Sequence, residues 1–183
     1  MERNRCKWVN LKNPLYVKYH DEEWGRVEKD DQKLFELLIL ESFQAGLSWE
    51  CILNKRENFK KAMDNFDLNK IIHYDEKKIQ DLLKDKKIIR NSLKIKAMIQ
   101  NAKIFQKIQH EWGSFSNYLW SFNENRIVYE TNKTRSELSD KISSDLQKKG
   151  MKFVGTVIIY SYLQAIGMIN SHEEGCFCRQ SLV

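Results

Sequence analysis

Leu34-Phe35-Glu36-Leu37-Leu38-Ile39-Leu40-Glu41-Ser42-Phe43-Gln44-Ala45-Gly46-Leu47-Ser48-Trp49 reads as an apolar helix stopped by a glycine. Asp30 or Asp31 is placed to cap its start and Gly46 to end it. Counting back from Glu41, Leu38 lies at i−3 and Leu34 at i−7, so the three share one helix face. That face is the apolar one. A carboxylate on it points at the core, where an uncompensated charge costs several kcal/mol or more. Two resolutions stand open. Glu41 pairs with a buried Lys or Arg or with free backbone N–H groups, or it lines a pocket. In the second case Gln44, one turn on, and Trp49, just past the turn, complete a set suited to a cationic planar ligand: a carboxylate, an amide and a flat ring.

Working outward, Ser48 is the N-cap of a second helix that runs through Trp49, Ile52 and Leu53 toward Phe59 and Met63. Asp75-Glu76 opens another, with Ile79, Leu82 and Leu83 on its buried face and an end around Lys86-Lys87. After Ile88-Ile89-Arg90-Asn91, a further helix carries Leu93, Ile95, Met98, Ile99, Ala102 and Phe105. Two amphipathic helices so closely joined form a hairpin over about residues 76–107. Lys84, Lys86, Lys87, Arg90, Lys94 and Lys96 crowd its tip, either as a solvated face or as contacts to phosphate. Residues 112–135 read as irregular and anchored by Trp112, Trp120 and Phe122. A helix over 136–149 closed by Gly150 follows, then a buried helix over about 156–167. Asp140 and Asp145 read as ordinary surface residues. Residues 1–29 carry few helix signals but hold Trp8, Tyr16, Tyr19 and Trp24, rings that pack such a segment onto the domain.

The chain has 183 residues with only 7 Gly and 1 Pro, which favours helices over a sheet. No repeat, linker or second core is visible, so residues 1–183 read as a single domain. Lys and Arg number 31 against 25 Asp and Glu, a net charge of +6 that suits a polyanion. The start, Met1-Glu2-Arg3-Asn4-Arg5, is not a secretory signal. The apolar segment 153–169 is short for a membrane span and is broken by Thr156, Ser161 and Gln164. With these features the expected location is the cytoplasm, where the four cysteines are expected to be metal ligands or inert thiols rather than disulfides. Without a repeated apolar seam the expected state is a monomer.

His172 and Cys176 are four residues apart, close enough to share an ion, and Cys6 and His20 are able to supply the other half of a tetrahedral set. From spacing alone Cys178 competes with Cys176, and a buried histidine among inert thiols is the plainer alternative. Such an ion would tie the two ends of the chain together.

The motifs Cys6-x-Trp8-Val9, Pro14-Leu15-Tyr16, Tyr19-His20-Asp21-x-Glu23-Trp24-Gly25, Gln44-Ala45-Gly46-Leu47-Ser48-Trp49, Lys55-Arg56-Glu57-Asn58, Phe153-Val154-Gly155-Thr156 and His172-x-x-Gly175-Cys176 occur in that order. In these the chain, from about residue 2 to residue 178, resembles the DNA-3-methyladenine glycosylase I family. The resemblance implies an all-α, two-lobed helix-hairpin-helix glycosylase fold whose termini are joined by a structural zinc ion on Cys6, His20, His172 and Cys176. It implies a monofunctional enzyme that hydrolyses the N-glycosidic bond of 3-methyladenine in double-stranded DNA and so starts base excision repair. Glu41 is then the catalytic and base-recognising residue, with Tyr16, Tyr19, Trp24 and Trp49 shaping the pocket beside Gln44. The alternative is a zinc-stapled binder of alkylated DNA that does not cleave. Two positions depart from the family's habit: Lys87 stands where a hairpin glycine is common, and Arg26 where a proline is common.

Overall fold

The structure is a computed structural model that describes residues 3–180. It is built almost wholly of helices: α1 Pro14–Glu22, α2 Asp31–Gln44, α3 Trp49–Ala62, α4 Leu68–Ile71, α5 Glu76–Lys84, α6 Ser92–Trp112, α7 Phe115–Ser121, α8 Glu137–Lys148, α9 Thr156–Ala165 and α10 Phe177–Gln180. The only extended pairing among the described residues is a parallel ladder of two short strands, β1 Val128–Tyr129 and β2 Ile169–Asn170, with Val128 opposite Ile169 and Tyr129 opposite Asn170. It brings the loop after residue 129 beside the segment that leads to His172. No helix among the described residues is long and apolar enough to cross a membrane.

Helix α2 is the centre. Every residue from Leu34 to Phe43 is buried, because α3, α6, α7 and α9 pack around it. Each fully buried Leu, Ile or Phe on it contributes roughly 1.5–3 kcal/mol of transfer free energy. Its start is capped as expected: the Asp30 side chain accepts from the Lys33 N–H. Asp31 reaches further. Its carboxylate accepts from the Phe115 N–H at 2.8 Å, the Ser116 N–H at 2.8 Å and the Gln109 side chain at 2.7 Å, so it supplies acceptors for the first turn of α7. The Arg56 guanidinium, from α3, forks onto Glu23 at 2.6 and 2.8 Å and onto Glu36 at 2.7 Å, locking α3 to α2 and to the end of α1.

Four expectations change. The N-terminal segment is not helix-poor: α1 starts at Pro14 behind an Asn13 cap, and that Asn-Pro pair is a start signal. The stretch 112–135 contains α7, which begins behind Ser114 after Gly113 ends α6 in the left-handed region. The hairpin's second helix runs on to Trp112, beyond the expected limit near 107. Nor are Asp140 and Asp145 idle at the surface: Thr156 donates to Asp140 at 2.5 Å, and the Tyr118 hydroxyl donates to Asp145 at 2.7 Å.

Replacing Asp31 by Ala leaves three donors around the start of α7 without their acceptor. The expected cost is about 1–3 kcal/mol, seen as a fall of several degrees in melting temperature. An unchanged melt would show that this cross-helix cap carries no weight.

Candidate active site and metal centre

Tyr16 and Tyr19 from α1, Trp24 just after it, Glu41 and Gln44 from α2, and Trp49 at the start of α3 all line one cavity of about 250 Å³. The six residues singled out from the sequence are thus brought together. The rings form two groups along the cavity wall: Trp8 meets Trp24 edge-on at 4.7 Å and Tyr16 at 5.4 Å, and Tyr19 lies 5.2 Å from Trp49.

Glu41 sits at the inner end of this wall, 3% exposed. Its Oε2 has no hydrogen-bond partner among the protein atoms, and neither has the Trp49 indole N–H. Among the described residues no Lys or Arg pairs with Glu41, which instead lines the cavity, and burial alone pushes its carboxyl up to about 8. Burial and the charge of Glu41 also raise the Tyr19 phenol well above its ordinary value, so Tyr19 is a neutral group at neutral pH.

Behind Trp24 lies a second cluster. Cys6, His20, His172 and Cys176 are all buried, and their ligand atoms lie within 4.8 Å of one another. The Cys176 sulfur is 3.5 Å from His20 Nε2 and 3.6 Å from His172 Nδ1, and the Cys6 sulfur is 3.6 Å from the same Nδ1. A tetrahedral ion with bonds of about 2.3 Å to sulfur and about 2.0–2.1 Å to nitrogen has S···N edges of about 3.5 Å, so the donor set fits such an ion. The outer nitrogens are held as metal-binding imidazoles usually are. His20 Nδ1 meets Asp21 at 2.8 Å, and Asp21 is gripped by Arg5; His172 Nε2 meets the Trp24 carbonyl at 3.2 Å. Cys178 turns its sulfur to the carbonyls of His20 and Asp21 instead. Gly25 is required here. It has φ +77°, and a Cβ on it would stand 2.7 Å from His172 Nε2.

Residues 8–179 match the sequence profile of the methyladenine glycosylases. The chain belongs to the methyladenine glycosylase family. Among known members, DNA-3-methyladenine glycosylase 1 of Escherichia coli K12 is 42% identical over 180 residues, covering 95% of this chain and 96% of that protein. A 3-methyladenine DNA glycosylase I from Staphylococcus aureus superposes with a TM-score of 0.91 at 33% identity, covering 97% of each chain. A variant 3-methyladenine DNA glycosylase I in complex with 3-methyladenine gives 0.92 at 32% identity, covering 96% of this chain and 97% of that one.

In this glycosylase the cavity has further lining that sequence reasoning missed: Trp8, Thr131, Asn132, Ser161, Gln164, Ser171 and Glu173. Ser161 and Gln164 carried a usable signal, since polar residues at i and i+3 in an apolar helix pose the same question as Glu41. Thr131 and Ser171 carried none, because a two-residue strand pairing alone brings them close. The two departures from the family's habit are accommodated. Lys87 is not among the residues with positive φ, and its N–H donates to Asp85, so the hairpin turn closes without a glycine. Arg26 donates to the Asp21 carbonyl.

The Glu41 carboxyl moves from 4.5 to about 8 on folding, so between those values the native state holds a proton that the unfolded chain has lost. Stability from this group is present below about pH 4.5 and is lost as pH rises toward about 8. Glu41→Gln is therefore expected to melt higher than wild type at neutral pH, with a gap that opens across that window. A gap independent of pH would mean that a partner keeps Glu41 ionised.

Proposed function

We propose that this chain is a monofunctional DNA-3-methyladenine glycosylase that hydrolyses the N-glycosidic bond of 3-methyladenine in double-stranded DNA and begins its excision repair. One observation carries the reading: a buried carboxylate without a protein partner faces a cavity walled by tryptophan and tyrosine rings.

A methyl group on N3 gives adenine a positive charge and weakens its bond to the sugar, since the base then departs neutral. The duplex hides that base, so it is extruded at a cost of a few kcal/mol of lost stacking. Tyr16, Tyr19, Trp24 and Trp49 return part of this, base–aromatic stacking being worth roughly 1–3 kcal/mol per base, and their faces favour a cation. Entry of the cationic base favours the ionised form of Glu41, which burial alone disfavours; the carboxylate then accepts hydrogen bonds from the adenine edge, with Gln44 and the Trp49 indole N–H as further polar groups. A base that offers Glu41 no donor leaves a buried carboxylate unpaired, and that is the basis of selection. Water adds at C1′ of the oxocarbenium-like sugar as the C1′–N9 bond breaks; the base leaves neutral with the bonding electron pair, the sugar keeps the water's hydroxyl, and the water's second proton passes to solvent.

The ion on Cys6, His20, His172 and Cys176 is, in this reading, a single zinc. With four protein ligands it has no open position for a catalytic water, so its contribution is structural. Thiolate ligands suit the reducing cytoplasm, where the chain works as a monomer.

Wild-type protein is expected to release free 3-methyladenine from methylated duplex DNA, while Glu41→Gln loses on the order of 10²-fold or more in kcat/KM. Equal release by both would remove Glu41 from base recognition. No release by folded, metal-loaded wild type would leave a binder of alkylated DNA. Elemental analysis is expected to find zinc, and its removal by a chelator to lower the melting temperature sharply; a protein that melts alike with and without chelator would overturn the structural role.

A further inference from the structure

Lys94 belongs, by its place in the chain, to the basic tip of the α5–α6 hairpin, yet it is turned inward. It is 7% exposed, whereas Lys84, Lys86, Lys87, Arg90 and Lys96 are exposed. Its ammonium donates to the Phe43 carbonyl at 2.8 Å and to the Ala45 carbonyl at 2.6 Å. Those are carbonyls at the end of α2. In a continued helix, Phe43 would receive the Leu47 N–H, but that N–H goes to Gln44 instead. No basic residue of α2 itself stands in its last turn. The cation that complements this helix end therefore comes from another helix. Meanwhile the Lys94 backbone N–H is taken by the Asn91 cap at the start of α6. One residue thus joins the first turn of the hairpin's second helix to the last turn of the helix that carries Glu41 and Gln44.

We propose that Lys94 is a positioning residue for base excision: it fixes the turn Ala45-Gly46-Leu47, which joins the cavity-lining residues Gln44 and Trp49, in register with the hairpin tip. This rests on the reading of the chain as a glycosylase of duplex DNA. The duplex has to meet the exposed lysines of the tip and offer its damaged base to the cavity at once, so the two surfaces work only at a set distance. Lys94 touches neither base nor sugar. It holds the part that receives the base against the part that holds the strand, and a misplacement of about 1 Å at such a point costs on the order of 100-fold in rate.

The test compares wild type, Lys94→Met and Lys94→Arg in three assays: single-turnover excision from methylated duplex DNA, binding of free 3-methyladenine, and binding of undamaged duplex. Lys94→Met is expected to bind the free base and the undamaged duplex as wild type does, while excision falls about 100-fold. Lys94→Arg, which keeps the charge and the donors but changes the reach, is expected to fall between the two. Wild-type excision by Lys94→Met would overturn the proposal. So would a loss shared equally by all three assays, the mark of a merely structural lysine. Should Lys94→Met fail to fold, Lys94→Arg decides: slowed excision with free-base binding intact supports the coupling, and wild-type values throughout overturn it. Absence of excision by wild type itself would instead count against the glycosylase reading.

Discussion

The burial of α2 on every side is the constraint from which the rest follows. Between Leu34 and Phe43 the helix has no solvent face and cannot leave a polar group to water, so each one has to find its partner within the protein. Glu36 takes Arg56 and Lys60. Ser42 donates back to its own helix at Leu38, and Asp31 caps α7. The carbonyl end takes Lys94. Against that background the Glu41 carboxylate stands apart, since its Oε2 is without a protein partner. Three polar sites on this helix are satisfied from other helices and one from its own backbone, and that contrast is what supports reading Glu41 as the group that meets a ligand.

The two ends of the chain serve the same cavity. Cys6 and His20 come from the first segment, His172 and Cys176 from the last, and cavity-lining residues sit directly beside them: Trp8, Trp24, Ser171 and Glu173. The contact of His172 Nε2 with the Trp24 carbonyl, and the close passage of Gly25, fix the backbone that presents the Trp24 ring. An ion held there would do more than fasten the termini, because the outer contacts of its ligands also set one wall of the cavity.

Much of this was legible in the sequence, for a physical reason that differs by region. Helices with a strong apolar stripe and a capping side chain, such as α3 behind Ser48 and α5 behind Asp75, declare themselves locally. Helix α7 did not, being only seven residues long and starting with help from Asp31, some eighty positions earlier. Lys94 misled for a related reason. A lysine among lysines reads as surface charge, and what buries it is a helix end fifty-one residues upstream that no local pattern reveals. The cavity was half readable: residues within motifs stood out, while Thr131 and Asn132 reach it from a loop without periodicity or capping signals.

The charge balance of the proposed reaction limits what Glu41 does. The substrate base is cationic before cleavage and neutral after it, so a carboxylate facing the base attracts the ground state more than the departing product. Such an interaction strengthens binding, and by itself it would slow the bond-breaking step rather than speed it. The positive charge does not vanish, however: it passes to the sugar as the bond lengthens. A carboxylate held at the inner end of an aromatic cavity keeps part of its attraction as the charge moves, and its hydrogen bonds to the base edge are not lost. In the proposed reaction Glu41 therefore acts through selection and electrostatics, and most of the rate comes from extruding a base whose bond is already weakened. That division explains how the site can do without a second buried carboxylate beside Glu41. It is also consistent with the instability that the protein accepts in burying an unpaired acid at the end of its most buried helix.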